Sequence, residues 1–195
     1  AQNIKLTRMC AGRHPAGPPP QPLLPPHPLR TRSSATPPIH HKAGPLRGQP
    51  QVIPQPLAIV WDFFSTPINL NALTPPDMAF EFIDGADQPM FLGQLIQYRI
   101  QILPILKATW LTEITHLEYL SYFVDEQRLG PYQFWYHEHR FNEVKEGTLA
   151  TDTVTYSIPF GPLGGDIIHA LAIRPKLQSI FSYRQLRINQ LFNEG

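Results

Sequence analysis

The sequence predicts an α+β domain: a curved antiparallel sheet wrapped around one long C-terminal helix, with two short helices near the start. Three observations lead there. Strand-type alternation broken by turns fills most of residues 79–158. The stretch from Leu177 to Phe192 carries an apolar stripe at helical spacing. Residues 1–60 contain no aromatic residue and none of the 15 acids, so the core must be built from residues 61–195.

Taken in chain order, the first segment is proline-rich and basic, with 14 of the 23 prolines and 7 of the 16 Lys/Arg in residues 1–60. Pro15–Pro28 (PAGPPPQPLLPPHP) cannot form helix or central strand, because proline lacks the amide donor and fixes its own φ. Without aromatic anchors the segment cannot bury enough surface to offset chain entropy. Residues 1–46 are therefore expected to be a disordered Pro-rich basic tail, and residues 47–195 the folded domain. The tail reads in three ways. It resembles an organelle transit peptide in lacking acids, it offers P-x-x-P steps such as Pro22–Pro25 and Pro25–Pro28 to an SH3-type domain, or it is a plain extension. The chain begins at Ala1 rather than Met, which suggests a fragment or a processed product.

Pro56 sits at a first-turn position and opens a helix over Leu57–Phe64 that Pro67 ends. A second short helix, about Ile68–Leu73, stops before Pro75-Pro76. A strand follows over Ala79–Asp84. From Gln94 onward five more run in series as a meander: Gln94–Ile102, Lys107–Leu117, Tyr122–Gln127, Gln133–Val144 and Thr148–Ile158. In the last helix Leu177, Ile180, Phe181, Ile188, Leu191 and Phe192 share one face, and at 1.5 Å per residue the helix is about 27 Å long, enough to cross a sheet.

Composition excludes several function classes. The net charge is +1, and the basic residues lie where there are no aromatics to stack on bases, so nucleic-acid binding is not expected. A single cysteine, Cys10, removes disulfide frameworks and multi-cysteine metal sites. No run of 18 apolar residues exists to span a membrane as a helix. No G-x-G-x-x-G follows a strand, so a nucleotide cofactor site is missing, and no cofactor of any kind is expected.

Several motifs point to one family. They are Val60-Trp61-Asp62-Phe63-Phe64-Ser65, Leu73-Thr74-Pro75-Pro76-Asp77-Met78, Trp110–His116, Tyr122–Arg128, Gly130-Pro131-Tyr132 with Trp135, His137, His139 and Phe141, Pro159–Gly164, and Ile180–Arg184. Together they resemble the START-like (SRPBCC, helix-grip) superfamily, in particular a branch labelled "cell division inhibitor" or polyketide cyclase-like. The resemblance covers about residues 50–192. It implies a cavity under the C-terminal helix that holds a hydrophobic small molecule, since members bind lipids, steroids or isoprenoids or cyclise polyketides. The family opens with a strand directly before the first helix. Here only Gly48–Ile53 resembles it, interrupted by Pro50 and flanked by Pro54, so that strand is expected to be short or missing.

The residues expected to bind ligand are Tyr98, Trp110, Trp135, His137, His139, Tyr156, Phe181 and Arg184. The aromatics supply apolar surface with polar tips. His137 and His139, two apart on a strand, point to one face and are a potential chelating pair; with Glu143 they form half of a cupin-type motif. The second half is absent and no third ligand stands at a suitable spacing, so no metal is expected. Asp125, Glu126 and Asp152 lie in strands, either as a general base or in cross-strand pairs with Arg140 or Arg128. Arg184 falls near the centre of the apolar stripe. It is a rim residue, one half of a buried pair with Glu113 or Asp152, or an anchor for a polar group on the ligand.

No complete catalytic constellation appears and the catalytic residues are unknown. The leading expectation is a carrier or sensor of a lipid, isoprenoid or polyketide-like molecule, and the alternative is a cyclase or aromatase-type enzyme working in the same cavity. A buried carboxylate within hydrogen-bond reach of His137 or His139 would favour the enzyme. A third possibility is an interaction module that recruits a partner through the tail. Cytoplasm and organelle both stay open as compartments, and oligomeric state is unknown.

Overall fold

The computed structural model describes residues 46–103, 106–158 and 169–193. Pro15–Pro28, Cys10 and the Pro159–Gly164 motif lie outside the described residues. The elements are β1 (Leu46–Arg47), β2 (Gln51–Ile53), α1 (Leu57–Phe64), α2 (Leu70–Leu73), β3 (Glu81–Asp84), β4 (Leu95–Leu103), β5 (Leu106–Glu118), β6 (Tyr122–Leu129), β7 (Phe134–Val144), β8 (Gly147–Ser157) and α3 (Arg174–Asn193). Short 3-10 turns at Pro67–Asn69 and Pro76–Met78 flank α2, and a π-helical turn at His169–Ile173 leads into α3. The expected second helix is thus split: Pro67 starts a tighter turn, and only Leu70–Leu73 is α-helical.

All strand pairs are antiparallel, in the order β1-β8-β7-β6-β5-β4-β3, with β2 also on β8. The first strand is present but broken. Leu46 and Arg47 pair with Val154 and Thr153, whereas Gln51–Ile53 pair with Ala150–Thr148, a register one residue out of step. Pro50 lacks the amide that a continuous ladder needs, so the chain bulges between the two segments. Gly48 sits at the break with its amide on the Asp152 carbonyl at 3.0 Å, and a Cβ there would meet the Phe181 ring at 3.2 Å. At the other end of β8, the β7–β8 turn needs glycine. Gly147 has φ +135°, and a Cβ would stand 2.1 Å from the Ile53 carbonyl oxygen.

Helix α1 buries Val60, Trp61 and Phe64 against Ile53, Leu73, Phe123, Phe141 and Ile188. A second apolar group, around Ile96, Tyr98, Ile100, Trp110 and Ile114, fills the β4–β5 side. A third joins Val154 and Tyr156 to Leu177 of α3. Helical spacing puts Leu177 and Ile188 on one face of α3, and both are buried. Gln51 Nε2 donates to the Gln185 carbonyl (3.2 Å) and to Asn189 Oδ1 (2.7 Å), and Arg187 Nε to the Ala72 carbonyl (3.3 Å), which fasten α3 to β2 and α2. The apolar groups meet at the middle of the concave face, where the residues are charged.

Candidate functional site

Register alone assembles that charged band. On β7 the inward residues are Trp135, His137, His139 and Phe141; His137 stands opposite Asp125 of β6 and Val154 of β8, and His139 opposite Phe123 and Asp152. Each aspartate therefore reaches both imidazoles. Asp125 Oδ2 lies 2.9 Å from His139 Nε2 and 3.2 Å from His137 Nδ1. Asp152 Oδ1 lies 2.8 Å from His139 Nδ1 and 3.8 Å from His137 Nε2. The two rings are 3.8 Å apart, and Phe123 stacks on His139 at 4.3 Å. From α3, Arg184 brings Nε to 3.3 Å from Asp152 Oδ2 and its guanidinium over the Phe64 ring.

Burial opposes charge on every member of this set, and the neighbours decide which charges survive. For Asp125, burial is outweighed by His137 and by hydrogen bonds from both imidazoles, so its carboxyl stays well below the usual carboxylate range. For Asp152, burial is outweighed by Arg184 and then His139, with the same result. His139 loses to burial less than it gains from Asp152 and from its hydrogen bonds to both aspartates, and its pKa is raised. His137 is pushed down by burial and by His139. The shifts keep both aspartates as carboxylates, strengthen the hold of His139 on a proton and weaken that of His137.

Asp125, His137, His139 and Arg184 form one wall of a cavity of about 190 Å³ between the sheet and α3, and Asp152, their partner, is not among its lining residues. Its other walls are apolar and aromatic: Phe64, Tyr98, Trp110, Trp135, Ile180 and Phe181 are among them. Tyr98 Oη pairs with Thr112 Oγ1 at 3.3 Å, and burial pushes both the Tyr98 and Tyr132 phenols above their ordinary range. Trp110 Nε1 and His137 Nε2 are buried without a hydrogen-bond partner.

Of the residues expected at the site, Tyr98, Trp110, Trp135, His137, His139, Phe181 and Arg184 all line this cavity. Tyr156 is not among its lining residues; its ring packs with Val154 and Leu177, and its hydroxyl meets His169 Nε2 at 2.7 Å. Arg184 is 8 % exposed and pairs with Asp152, one of the two acids considered for it. The expected pairing of the strand acids with Arg128 or Arg140 holds for Glu126, which meets Arg128 at 3.2 Å. It fails for Asp125 and Asp152, because both face inward while those arginines face out. The absence of a third ligand beside His137 and His139 does not hold either, since Asp125 brings its carboxylate within 4.8 Å of both. The register of β6 against β7 supplies it, and linear spacing does not show that register.

No family model matches the chain, and no curated protein matches it. Solved structures do. A Chromobacterium violaceum protein is 12 % identical over 76 % of this chain and 97 % of its own, with a TM-score of 0.57. A Staphylococcus epidermidis protein is 16 % identical over 79 % of this chain and 92 % of its own, with a TM-score of 0.56. A nucleoside-diphosphate sugar epimerase from Corynebacterium glutamicum is 25 % identical over 73 % of this chain but only 28 % of the epimerase, with a TM-score of 0.52. Among the described residues no helix is long and apolar enough to cross a membrane. The curved antiparallel sheet, the long C-terminal helix laid across it and the short early helices make this a helix-grip fold.

Proposed function

We propose that the chain binds a hydrophobic small molecule between the sheet and α3, as a carrier or sensor, with the ligand's polar group toward the Asp125–His137–His139–Asp152–Arg184 band. The observation that carries this reading is the contrast inside one cavity: aromatic walls that suit a greasy body, and a single charged wall that suits one polar end. Lipids, isoprenoids and polyketide-like molecules have that form. The motif resemblance to the START-like branch labelled "cell division inhibitor" or polyketide cyclase-like supports this reading. The glycine-rich fingerprint of dinucleotide chemistry follows no strand in this sequence, so we carry no epimerase activity over from the Corynebacterium protein.

The test is native mass spectrometry of the full chain purified from its own source, followed by solvent extraction. A co-purified apolar molecule that also quenches the fluorescence of Trp110 and Trp135 is the expected result. An empty protein whose fluorescence is unmoved by a panel of fatty acids, isoprenoids and polyketide-like aromatics would overturn it.

A second reading is a cyclase or aromatase-type enzyme in the same cavity. It is favoured by the buried carboxylates within hydrogen-bond reach of both histidines, the arrangement acid–base chemistry requires. Turnover of a poly-β-ketone thioester that disappears in Asp125→Asn, with binding retained, would establish it.

We also propose that residues 47–195 fold without the tail. A chain beginning at Arg47 should keep the thermal midpoint of the full chain. A fall of more than about 5 °C, on the order of 1 kcal/mol, would show that the removed residues pack.

A further inference from the structure

The geometry points to a divalent transition-metal site in the wall of the cavity, with Asp125, His137 and His139 as ligands and Asp152 as their outer partner. The donors come from neighbouring strands: Asp125 Oδ2, His137 Nδ1 and His139 Nε2 converge within 4.8 Å of one another, with the carboxylate oxygen 3.2 and 2.9 Å from the two nitrogens. Donors bound at about 2.0 Å in a tetrahedral shell stand about 3.3 Å apart; the two carboxylate–nitrogen separations match this to within a few tenths of an ångström, and the two imidazole nitrogens, within 4.8 Å of each other, would close by up to about 1.5 Å to hold an ion. Two imidazoles and one carboxylate form a donor set that suits zinc, iron, cobalt or nickel rather than calcium or magnesium.

A buried atom that the metal-free arrangement leaves unsatisfied points the same way. Without an ion, a neutral His137 meets the Asp125 carboxylate by donating an Nδ1–H hydrogen bond across 3.2 Å. Nε2 is then a bare acceptor that faces another acceptor, Asp152 Oδ1, at 3.8 Å, and it has no hydrogen-bond partner. His137 is 7 % exposed. An ion on Nδ1 reverses the tautomer: the proton moves to Nε2 and points at Asp152. His139 is already held this way on its far side, with Nδ1 2.8 Å from Asp152 Oδ1. Both ligating rings would then donate to one carboxylate, the outer arrangement that orients metal-bound histidines and raises their basicity. Arg184 stands beside that carboxylate from α3, its Nε 3.3 Å from Oδ2 as an ion pair without a hydrogen bond. Three protein ligands leave coordination positions open, as in catalytic rather than structural sites, and all three residues line the cavity. An oxygen of the cavity's ligand would complete the shell, and this last step alone rests on the function proposed above.

The test needs no organic ligand, so its failure leaves the ligand-binding proposal standing. Metal-stripped full-length protein is titrated with Co²⁺ and followed by visible absorption, by metal analysis after gel filtration, and by proton NMR of the paramagnetic form. One cobalt per chain is expected, with a visible ligand-field band and two exchangeable, hyperfine-shifted imidazole N–H signals, from His137 Nε2 and His139 Nδ1. Asp125→Asn should abolish stoichiometric uptake. Asp152→Asn should weaken it about 10- to 100-fold. Changing His40 and His41 to Ala should leave it intact. No uptake, uptake unchanged in Asp125→Asn, or uptake lost with His40 and His41 would each overturn the site. If Asp125→Asn does not fold, the wild-type spectrum decides, and fewer than two imidazole N–H signals refutes the proposal.

Discussion

Strands β6 and β7 carry charge on both faces, and the two faces use it differently. Outward, Arg128 meets Glu113 at 2.6 Å and Glu126 at 3.2 Å, and Arg140 meets Glu138 at 2.9 Å while lying over the Tyr122 ring. Both arginine side chains are 43 % exposed, so water and salt compete for every one of these contacts. Inward, on the same strands, Asp125, His137 and His139 meet Asp152 and Arg184, whose side chain is 10 % exposed. The outer ladder is what a solvated sheet carries at little cost. The inner band interrupts the apolar core and forfeits the stabilisation that well-packed aliphatic side chains would give there. A fold that merely needed to be stable would gain from replacing it.

The sharpest way to break this contrast is Arg184→Met. It keeps most of the stem and leaves Asp152 with no cation from α3, so a loss of about 3–5 kcal/mol is expected in denaturant unfolding. A variant that melts like wild type would make Arg184 a rim residue and remove the inner band from the stability argument. Asp125→Asn keeps the shape and one acceptor but weakens charged hydrogen bonds to two imidazoles, with an expected loss of about 1.5–3 kcal/mol by the same measurement.

The buried phenols extend the comparison to high pH. Burial raises the pKa of Tyr98 and Tyr132 above the ordinary 10.0. Their contribution to stability is complete below the unfolded value and is lost as pH rises from there toward the folded one. Phenolate absorbance should therefore show two tyrosines that ionise only as the protein unfolds in alkali. Smooth titration of all seven in the native state would contradict their burial. The smallest effect belongs to the outer face: Glu113→Gln should cost no more than about 1 kcal/mol, and less at high salt. A larger loss would erase the difference between the faces.

Much of the inner band is legible in the order of residues alone. Period two places His137 and His139 on one face, and helical spacing puts Arg184 inside the apolar stripe with Asp152 as a possible partner. The meander and the long last helix follow from local patterns that tertiary packing does not override. The hidden part depends on register. Asp125 becomes the histidines' partner because β6 and β7 pair Asp125 with His137. The connection between them is held by Gln127, whose amide donates to the Tyr132 carbonyl at 2.6 Å and accepts its N–H at 3.2 Å. No spacing rule predicts that clamp. Tyr156 has the right chemistry for the cavity and stands opposite Trp135, but it does not line the cavity and its hydroxyl is taken by His169. At the first strand, proline foretells an interruption, and the bulge at Gly48 and Pro50 lets pairing resume on the far side.

The pairing of β1 and β2 with β8 sets an order in time. Thr148 bonds the Gln55 carbonyl across 93 positions of sequence, and Ile53 lies against Gly147. While the chain is being synthesised, Leu46–Ile53 has no strand to join until the whole meander has emerged. The hairpins from β4 to β8 can form locally, one after another, but this edge waits for closure of a very long loop, the slow kind of contact in folding. The last ladder to form is the one that carries Gly48 to Asp152 and Phe181, so the charged wall of the cavity acquires its final neighbour only when the rest of the sheet is in place.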